Sequence, residues 1–305
     1  MTQVPVLSCR DVVVEYPGHP PVRAVRGVSF ELFPGEVVGL VGESGCGKST
    51  MAKVLTGLLR PDEGVVLYEG APLPPLGLGG RPVHLTGVQM VFQDPGSSLN
   101  PRRRVGAQIA DGLATGAARR RWRLSKSGPA AEPHPAEPQA ARPATAEAWL
   151  ARVGMEARDV NRYPGSFSGG QRQRIATARA LAAEPTVLIG DEPISALDAS
   201  TQAKVAHLMS RLAVEQGTAL LFISHDLSVV RLIADRLLVM YKGRIVERGP
   251  TEAIWNDPLH PYTKSLLGAI PVPDGAGKLP QATEPGTEYP LDEAVRPDAR
   301  GREPE

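Results

Sequence analysis

The chain has 305 residues, 42% of them hydrophobic, and sets 34 Lys and Arg against 33 Asp and Glu for a formal charge of +1. That length carries one large domain or two smaller ones with a proper core, and the near-neutral balance excludes global electrostatic capture of nucleic acid or of an anionic membrane. Cys9 and Cys46 form neither a disulfide framework nor a Cys/His metal set, the N-terminus lacks a secretory pattern, and no run reaches the roughly 20 apolar residues that span a bilayer.

In chain order, "DVVVEYP", "GVSFELFPGE" and "EVVGLVG" read as strands rich in Val and Leu, and "GVVLYEG" follows the "RPDEG" turn as another. Between them "KSTMAKVLTGLL" places Val54, Leu55, Leu58 and Leu59 at helical spacing, so the glycine loop 42–50 joins a strand to a helix. Residues 102–165 change character, and the Ala/Pro-rich stretch at about 126–144 offers no continuous apolar face and is expected to be a mobile insertion. Order returns from 166. A helix runs from Ser168 to before Pro185, a strand covers 186–190, and a helix from about Ser200 to Gln216 is closed by Gly217. "ALLFIS" is the next strand and "RLLVMYKGRIVERG" a hairpin. After Pro250 come a short helical appendix to about 273 and a Gly/Pro/Glu/Asp-rich tail, 274–305, expected to be disordered. Strands alternating with helices predict an α/β core, without internal repeats of the motif set.

The chemistry concentrates in a few loops. "GESGCGKST" fits the phosphate-binding pattern G-x-x-x-x-G-K-[ST] in the required strand-to-helix context: Gly42, Gly45 and Gly47 let backbone N–H groups wrap phosphates, Lys48 reaches the β and γ phosphates, and the Ser49 hydroxyl ligates Mg²⁺. "TVLIGDEP" ends a strand in adjacent carboxylates that can divide labour, Asp191 towards the metal and Glu192 towards the attacking water. "SFSGGQRQR" (166–174) has two local readings, an ordinary helix start capped by Ser168 or a second phosphate-facing glycine loop. His225, after the apolar run "ALLFIS", is either a capped surface residue or part of a catalytic loop. Cys46 reads as a small filler, with an oxidation-sensitive thiol as the alternative. The basic clusters Arg102–Arg104 and Arg119–Arg123, with Trp122 interleaved, read as solvated helical faces in preference to nucleic-acid or lipid contacts.

The order of P-loop, "VFQDP" with Gln93, "FSGGQRQR", "LIGDEP", "SALD" and "ISHD" over about residues 6–250 resembles the ATP-binding subunit of ABC transporters. The resemblance implies a P-loop NTPase ATPase core with an antiparallel β subdomain, a helical subdomain at about 94–180 and a short C-terminal extension at 251–273. It implies ATP bound by Tyr16, stacked on adenine, and by Gly42, Glu43, Ser44, Gly45, Cys46, Gly47, Lys48, Ser49 and Thr50, with Mg²⁺ at Ser49, Gln93 and Asp191. Glu192 is then the general base, assisted by His225, Lys48 and Gln93. Ser168, Gly169, Gly170 and Gln171 form the signature sequence, which with Asp198 contacts the nucleotide of a partner subunit.

The flanks, above all "NDPLHPYTKSLLGAIPVP", are similar to the second ATPase subunit of oligopeptide and dipeptide importers, a group that includes nickel and glutathione importers. Implied with it are a second ATPase subunit, two transmembrane permease subunits, an extracytoplasmic solute-binding protein, no nucleic acid, and a peripheral place on the cytoplasmic face of the cell membrane. With no cysteine beyond Cys46, a C-terminal iron–sulfur cluster is excluded. The competing classes are a soluble ATPase acting on nucleic acid or the ribosome, disfavoured by the single motif set and neutral charge, and an exporter ATPase, which usually lacks the appendix.

Overall fold

The computed structural model describes residues 4–77, 81–94, 98–126, 143–270 and 287–295. Its centre is a sheet of β3 (Val37–Val41), β6 (Val88–Val91), β7 (Val187–Asp191), β8 (Ala219–Ser224), β9 (Arg236–Tyr241), β10 (Arg244–Pro250) and β11 (Ala294–Val295), in the spatial order β11-β10-β9-β3-β8-β7-β6. The strands from β9 to β6 are parallel, and β10 returns antiparallel through a hairpin. Every residue of β3, β7 and β8 is buried, which explains why they read as continuous apolar runs: a parallel strand covered on both faces has no solvent side to keep polar.

A second, antiparallel sheet in the order β2-β1-β4-β5 is built from β1 (Leu7–Tyr16), β2 (Val22–Leu32), β4 (Glu63–Tyr68) and β5 (Ala71–Pro72). One apolar cluster joins it to α1 (Lys48–Leu55) and to one face of the central sheet. A second cluster joins the other face to α2 (Val105–Lys126), α3 (Ala146–Arg152), α4 (Gly169–Ala182), α5 (Ala199–Glu215) and α6 (Leu227–Arg231), and onwards to α7 (Thr251–Asn256) and α8 (Pro261–Gly268). Side-chain oxygens of Thr145, Ser168, Asp198 and Asp226 accept from first-turn backbone N–H groups of α3, α4, α5 and α6, and the ring of His260 does the same for α8 behind Pro261. Two of the motif residues, Ser168 and Asp198, are therefore also the caps that start their helices.

Two sequence expectations meet a different outcome. Arg119 does not lie on a solvated face: it is buried, donating to the Glu184 carbonyl and, at 3.2 Å, to the Tyr68 hydroxyl, while Arg123 pairs with Glu69 at 2.7 Å. The far end of α2 is thus fastened to the antiparallel sheet, and burial lowers the Arg119 pKa without discharging it. Within the tail expected to be disordered, residues 287–295 are seated on the core: Tyr289 and Leu291 join the second apolar cluster, Lys242 pairs with Glu288, Arg248 with Glu293, and β11 adds to β10. The Ala/Pro-rich insertion at 127–142, and the tail at 274–286 and 296–305, lie outside the described residues.

Candidate functional site

Strand order assembles the site. In the run β3-β8-β7-β6 the loops after the carboxyl ends carry, side by side, the P-loop, His225, the Asp191–Glu192 pair and Gln93, at the edge where parallel sheets place their ligands. The P-loop is pressed hard against its surroundings. A Cβ at Gly42 would sit 2.1 Å from the Met240 carbonyl oxygen and one at Gly47 2.2 Å from that of Ala24, and both residues have positive φ. No side chain caps α1, so the N–H groups of its first turn face the loop, where the helix dipole favours an anion. Lys48 is buried beside them, its Nζ donating to the carbonyls of Gly42 at 2.7 Å and Glu43 at 2.8 Å. A buried ammonium and an open helix N-terminus suit a phosphate chain.

Tyr16 ends β1 with 37% of its surface exposed, its hydroxyl 3.3 Å from Thr50 Oγ1, so a partly open ring stands beside α1. Cys46 is buried, and burial raises its thiol pKa against the opposing pull of Lys48, which favours the filler reading. At the end of β7, Asp191 Oδ1 accepts from Ser49 Oγ at 2.9 Å. Burial raises the Asp191 pKa, with the Ser49 hydrogen bond opposing. A hydroxyl and one carboxylate facing each other fit a magnesium ion, which is held by few protein groups together with phosphate oxygens and water; among the described residues no cluster of three or more His, Cys, Asp and Glu forms a metal cage.

Glu192 adopts φ 46°, an uncommon left-handed conformation for a non-glycine residue, while its N–H donates to the Ile223 carbonyl at 3.0 Å. Its Oε2 accepts from Gln93 Nε2 at 3.3 Å and lies 3.3 Å from His225 Nδ1. Three residues from three neighbouring strand ends thus meet on one carboxylate, including Gln93, which had no local signal of its own.

Ser168, Gly169, Gly170 and Gln171 gather elsewhere with Asp198. Ser168 and Gln171 form a capping box, and the glycines bring α4 onto the start of α5: a Cβ on Gly170 would lie 2.8 Å from Thr201 Cγ2, and one on Gly169 3.5 Å from Leu197 Cδ2. Asp198 accepts from Ser200 Oγ at 2.6 Å and Thr201 N at 3.0 Å, bonds that hold its carboxyl below the usual range. Ser168 and Asp198 are exposed, and among the described residues no hydrogen bond or ion pair joins 168–171 to 42–50.

One contact has no forewarning in the local sequence. The hydroxyl of Tyr262, in α8 and 219 residues away, accepts from the Glu43 N–H at 2.9 Å. The "HPYT" appendix was distinctive, but nothing in its pattern pointed at the P-loop.

Fold and site together define a P-loop ATPase cassette. A family model described as ABC transporter matches residues 25–195, and another, described as oligopeptide/dipeptide transporter, C-terminal region, matches 246–295. The chain is 46% identical over 256 residues to the oligopeptide transport ATP-binding protein OppF of Bacillus subtilis, covering 83% of this chain and 78% of that one. It is 42% identical over 296 residues to the di/tripeptide transport ATP-binding protein DppF of Pseudomonas aeruginosa, covering 92% and 86%. Among solved structures, cbiO1 of Clostridium perfringens, part of an ABC transporter complex, superposes with a TM-score of 0.64 at 25% identity, covering 83% of this chain and 91% of that one. A dimeric ATP-binding cassette bound to ADP and Pi gives 0.61 at 26% identity, covering 80% and 98%. This chain belongs to the ATP-hydrolysing subunits of ABC transporters, in their oligopeptide and dipeptide group.

Proposed function

We propose that this chain powers import of oligopeptides, dipeptides or a related small solute through a membrane permease, by closing with a second ATPase subunit on ATP and reopening on its hydrolysis. The observation that carries the proposal is the Glu192 carboxylate held between Gln93 and His225, beside the Ser49–Asp191 pair and a P-loop, on a chain whose residues 246–295 match the C-terminal region of oligopeptide/dipeptide transporters.

On ATP, Lys48 exchanges the Gly42 and Glu43 carbonyls for the β and γ phosphates, while the N–H groups of the P-loop and of the first turn of α1 take the remaining oxygens. Tyr16 offers its ring to the adenine. Ser49, Asp191 and Gln93 are the residues that would hold Mg²⁺, which supplies neutralisation of charge on the transferred phosphoryl group. Glu192, oriented by Gln93, accepts a proton from the attacking water, and His225 donates towards the γ-phosphate.

Ser168, Gly169, Gly170, Gln171 and Asp198 act on the nucleotide of the opposite subunit, head to tail. The exposure of Ser168, Gln171 and Asp198, the packing of Gly170 against the start of α5, and the lack, among the described residues, of bonds to this chain's own P-loop support that placement. The partners in this reading are the second ATPase subunit, forming a heterodimer, two permease subunits and an extracytoplasmic solute-binding protein, with no nucleic acid. Among the described residues no helix is long and apolar enough to cross a membrane, and the reading assigns the crossing to the permeases, with this chain peripheral on their cytoplasmic face. ATP drives the cycle because it binds the closed arrangement more tightly than the open one.

Glu192→Gln tests the proposal: ATP binding is retained, turnover is lost and a closed dimer accumulates. Wild-type hydrolysis in that variant removes Glu192 as the base.

A further inference from the structure

The P-loop is held from behind as well as open in front. The Gly42–Glu43 peptide group is gripped at both ends: its carbonyl accepts from Lys48 Nζ at 2.7 Å, and its N–H donates to Tyr262 Oη at 2.9 Å. The orientation of that peptide plane sets where Lys48 rests, and Lys48 also touches the Glu43 carbonyl at 2.8 Å. A Gly42–Glu43 peptide group free to rotate would move the Gly42 carbonyl, one of the two anchor points of the lysine that must reach the phosphates.

Tyr262 itself has little freedom. It is buried, its ring lies 4.4 Å from that of Tyr241, and Tyr289 packs edge-on against both at 5.6 Å. Its backbone N–H donates to His260 Nδ1 at 3.1 Å, so the proton of the neutral imidazole sits on Nε2 and is donated to the Pro290 carbonyl at 3.1 Å. The N–H groups of Leu259 and His260 donate in turn to the buried Glu247 carboxylate at 2.9 and 3.0 Å. Lys242, in the hairpin turn with its Nζ over the Tyr241 ring, pairs with Glu288, and Gly243 N–H donates to the Cys46 carbonyl at 2.9 Å. Segment 287–291, α8 and the β9–β10 hairpin thus form one continuous brace that ends on the P-loop. Burial also raises the Tyr262 pKa, so the phenol stays neutral.

We propose that Tyr262 is a positioning residue for ATP binding, through which the C-terminal region fixes the Gly42–Glu43 peptide and so the resting place of Lys48. The inference rests on the P-loop being the ATP site. It differs from a packing role for α8 because it assigns the effect to one hydroxyl.

Tyr262→Phe in the full-length chain removes that hydroxyl and keeps the ring. By calorimetry with ATP and Mg²⁺, its affinity is expected to fall roughly three- to tenfold, the worth of one hydrogen bond, with the thermal midpoint of the ATP-free chain lowered by only about 2–4 °C. In the assembled transporter KM for ATP rises by a similar factor while kcat at saturation is retained. Tyr289→Leu, which loosens the ring cluster and spares the hydroxyl, lowers the midpoint and changes affinity less than Tyr262→Phe. Unchanged ATP affinity in Tyr262→Phe overturns the proposal, as does an unprotected Glu43 amide in hydrogen exchange of the wild-type chain, a measurement that needs no variant to fold. Failure of the wild type to bind ATP overturns instead the assignment of the site.

Discussion

Ser168→Arg separates a residue that serves its own nucleotide from one that serves a partner's. In this structure Ser168 is exposed and its side chain caps α4 through Gln171 N at 3.3 Å, with the Gln171 side chain returning to the Ser168 N–H at 2.9 Å. Losing an N-cap costs about 1 kcal/mol, against the roughly 5–15 kcal/mol that stabilises a folded domain, so the chain stays folded. The P-loop, bonded through Lys48, Gly243 and Tyr262 and not through 168–171, is untouched, and ATP binding by the isolated chain should stay within about twofold of wild type. Under the proposed head-to-tail pairing, the arginine of the closed pair would occupy the space of the opposing phosphates. Loss of closure there should cut turnover by at least about 100-fold, or about 2.7 kcal/mol in barrier. Binding is measured by calorimetry on the chain alone, and turnover by phosphate release from the assembled pair. Equal loss of binding and turnover would refute the assignment of Ser168 to the partner's nucleotide.

Other expectations rest on different parts of the molecule. Arg119→Leu leaves the Glu184 carbonyl without its charged donor and strips one bond from Tyr68, and should cost about 2–4 kcal/mol in urea unfolding, whereas Arg121→Ala, on the exposed side of α2, should stay within about 0.5 kcal/mol. Burial pushes the Cys9 thiol up to about 12 and raises that of Cys46, so both stay protonated near neutral pH. Neither should react with a thiol reagent until denaturant exposes it, and a fast-reacting thiol in the native chain would contradict the burial of Cys46. Asp191→Asn should weaken Mg²⁺-dependent binding of ATP much more than binding without the metal; equal weakening of both would remove Asp191 from the metal site.

The elements that carry phosphate chemistry were legible because local sequence dictates them: a strand, a glycine loop and a helix over 37–55 need no distant contact to be recognised. The cap at Ser168 was legible for the same reason, whereas the cap at Asp198 was not: the helix it starts was expected from about Ser200, and the structure begins it at Ala199. Arg119 was not, because four of the five residues from 119 to 123 are arginines and only the position of Tyr68 on another sheet decides which one is buried. Composition likewise concealed residues 287–295, where Tyr289, Glu288 and Glu293 find specific partners inside a tract whose average reads as disordered. The meeting of Gln93, Glu192 and His225 follows from the strand order β8-β7-β6, a property of topology that no single stretch of sequence displays.

The most direct test is uptake of a labelled peptide into vesicles carrying this chain with the proposed second ATPase subunit, permeases and solute-binding protein. Accumulation is expected that requires ATP at the face bearing this chain and disappears with Glu192→Gln while ATP binding persists. Accumulation at the wild-type rate in the Glu192→Gln vesicles would contradict it.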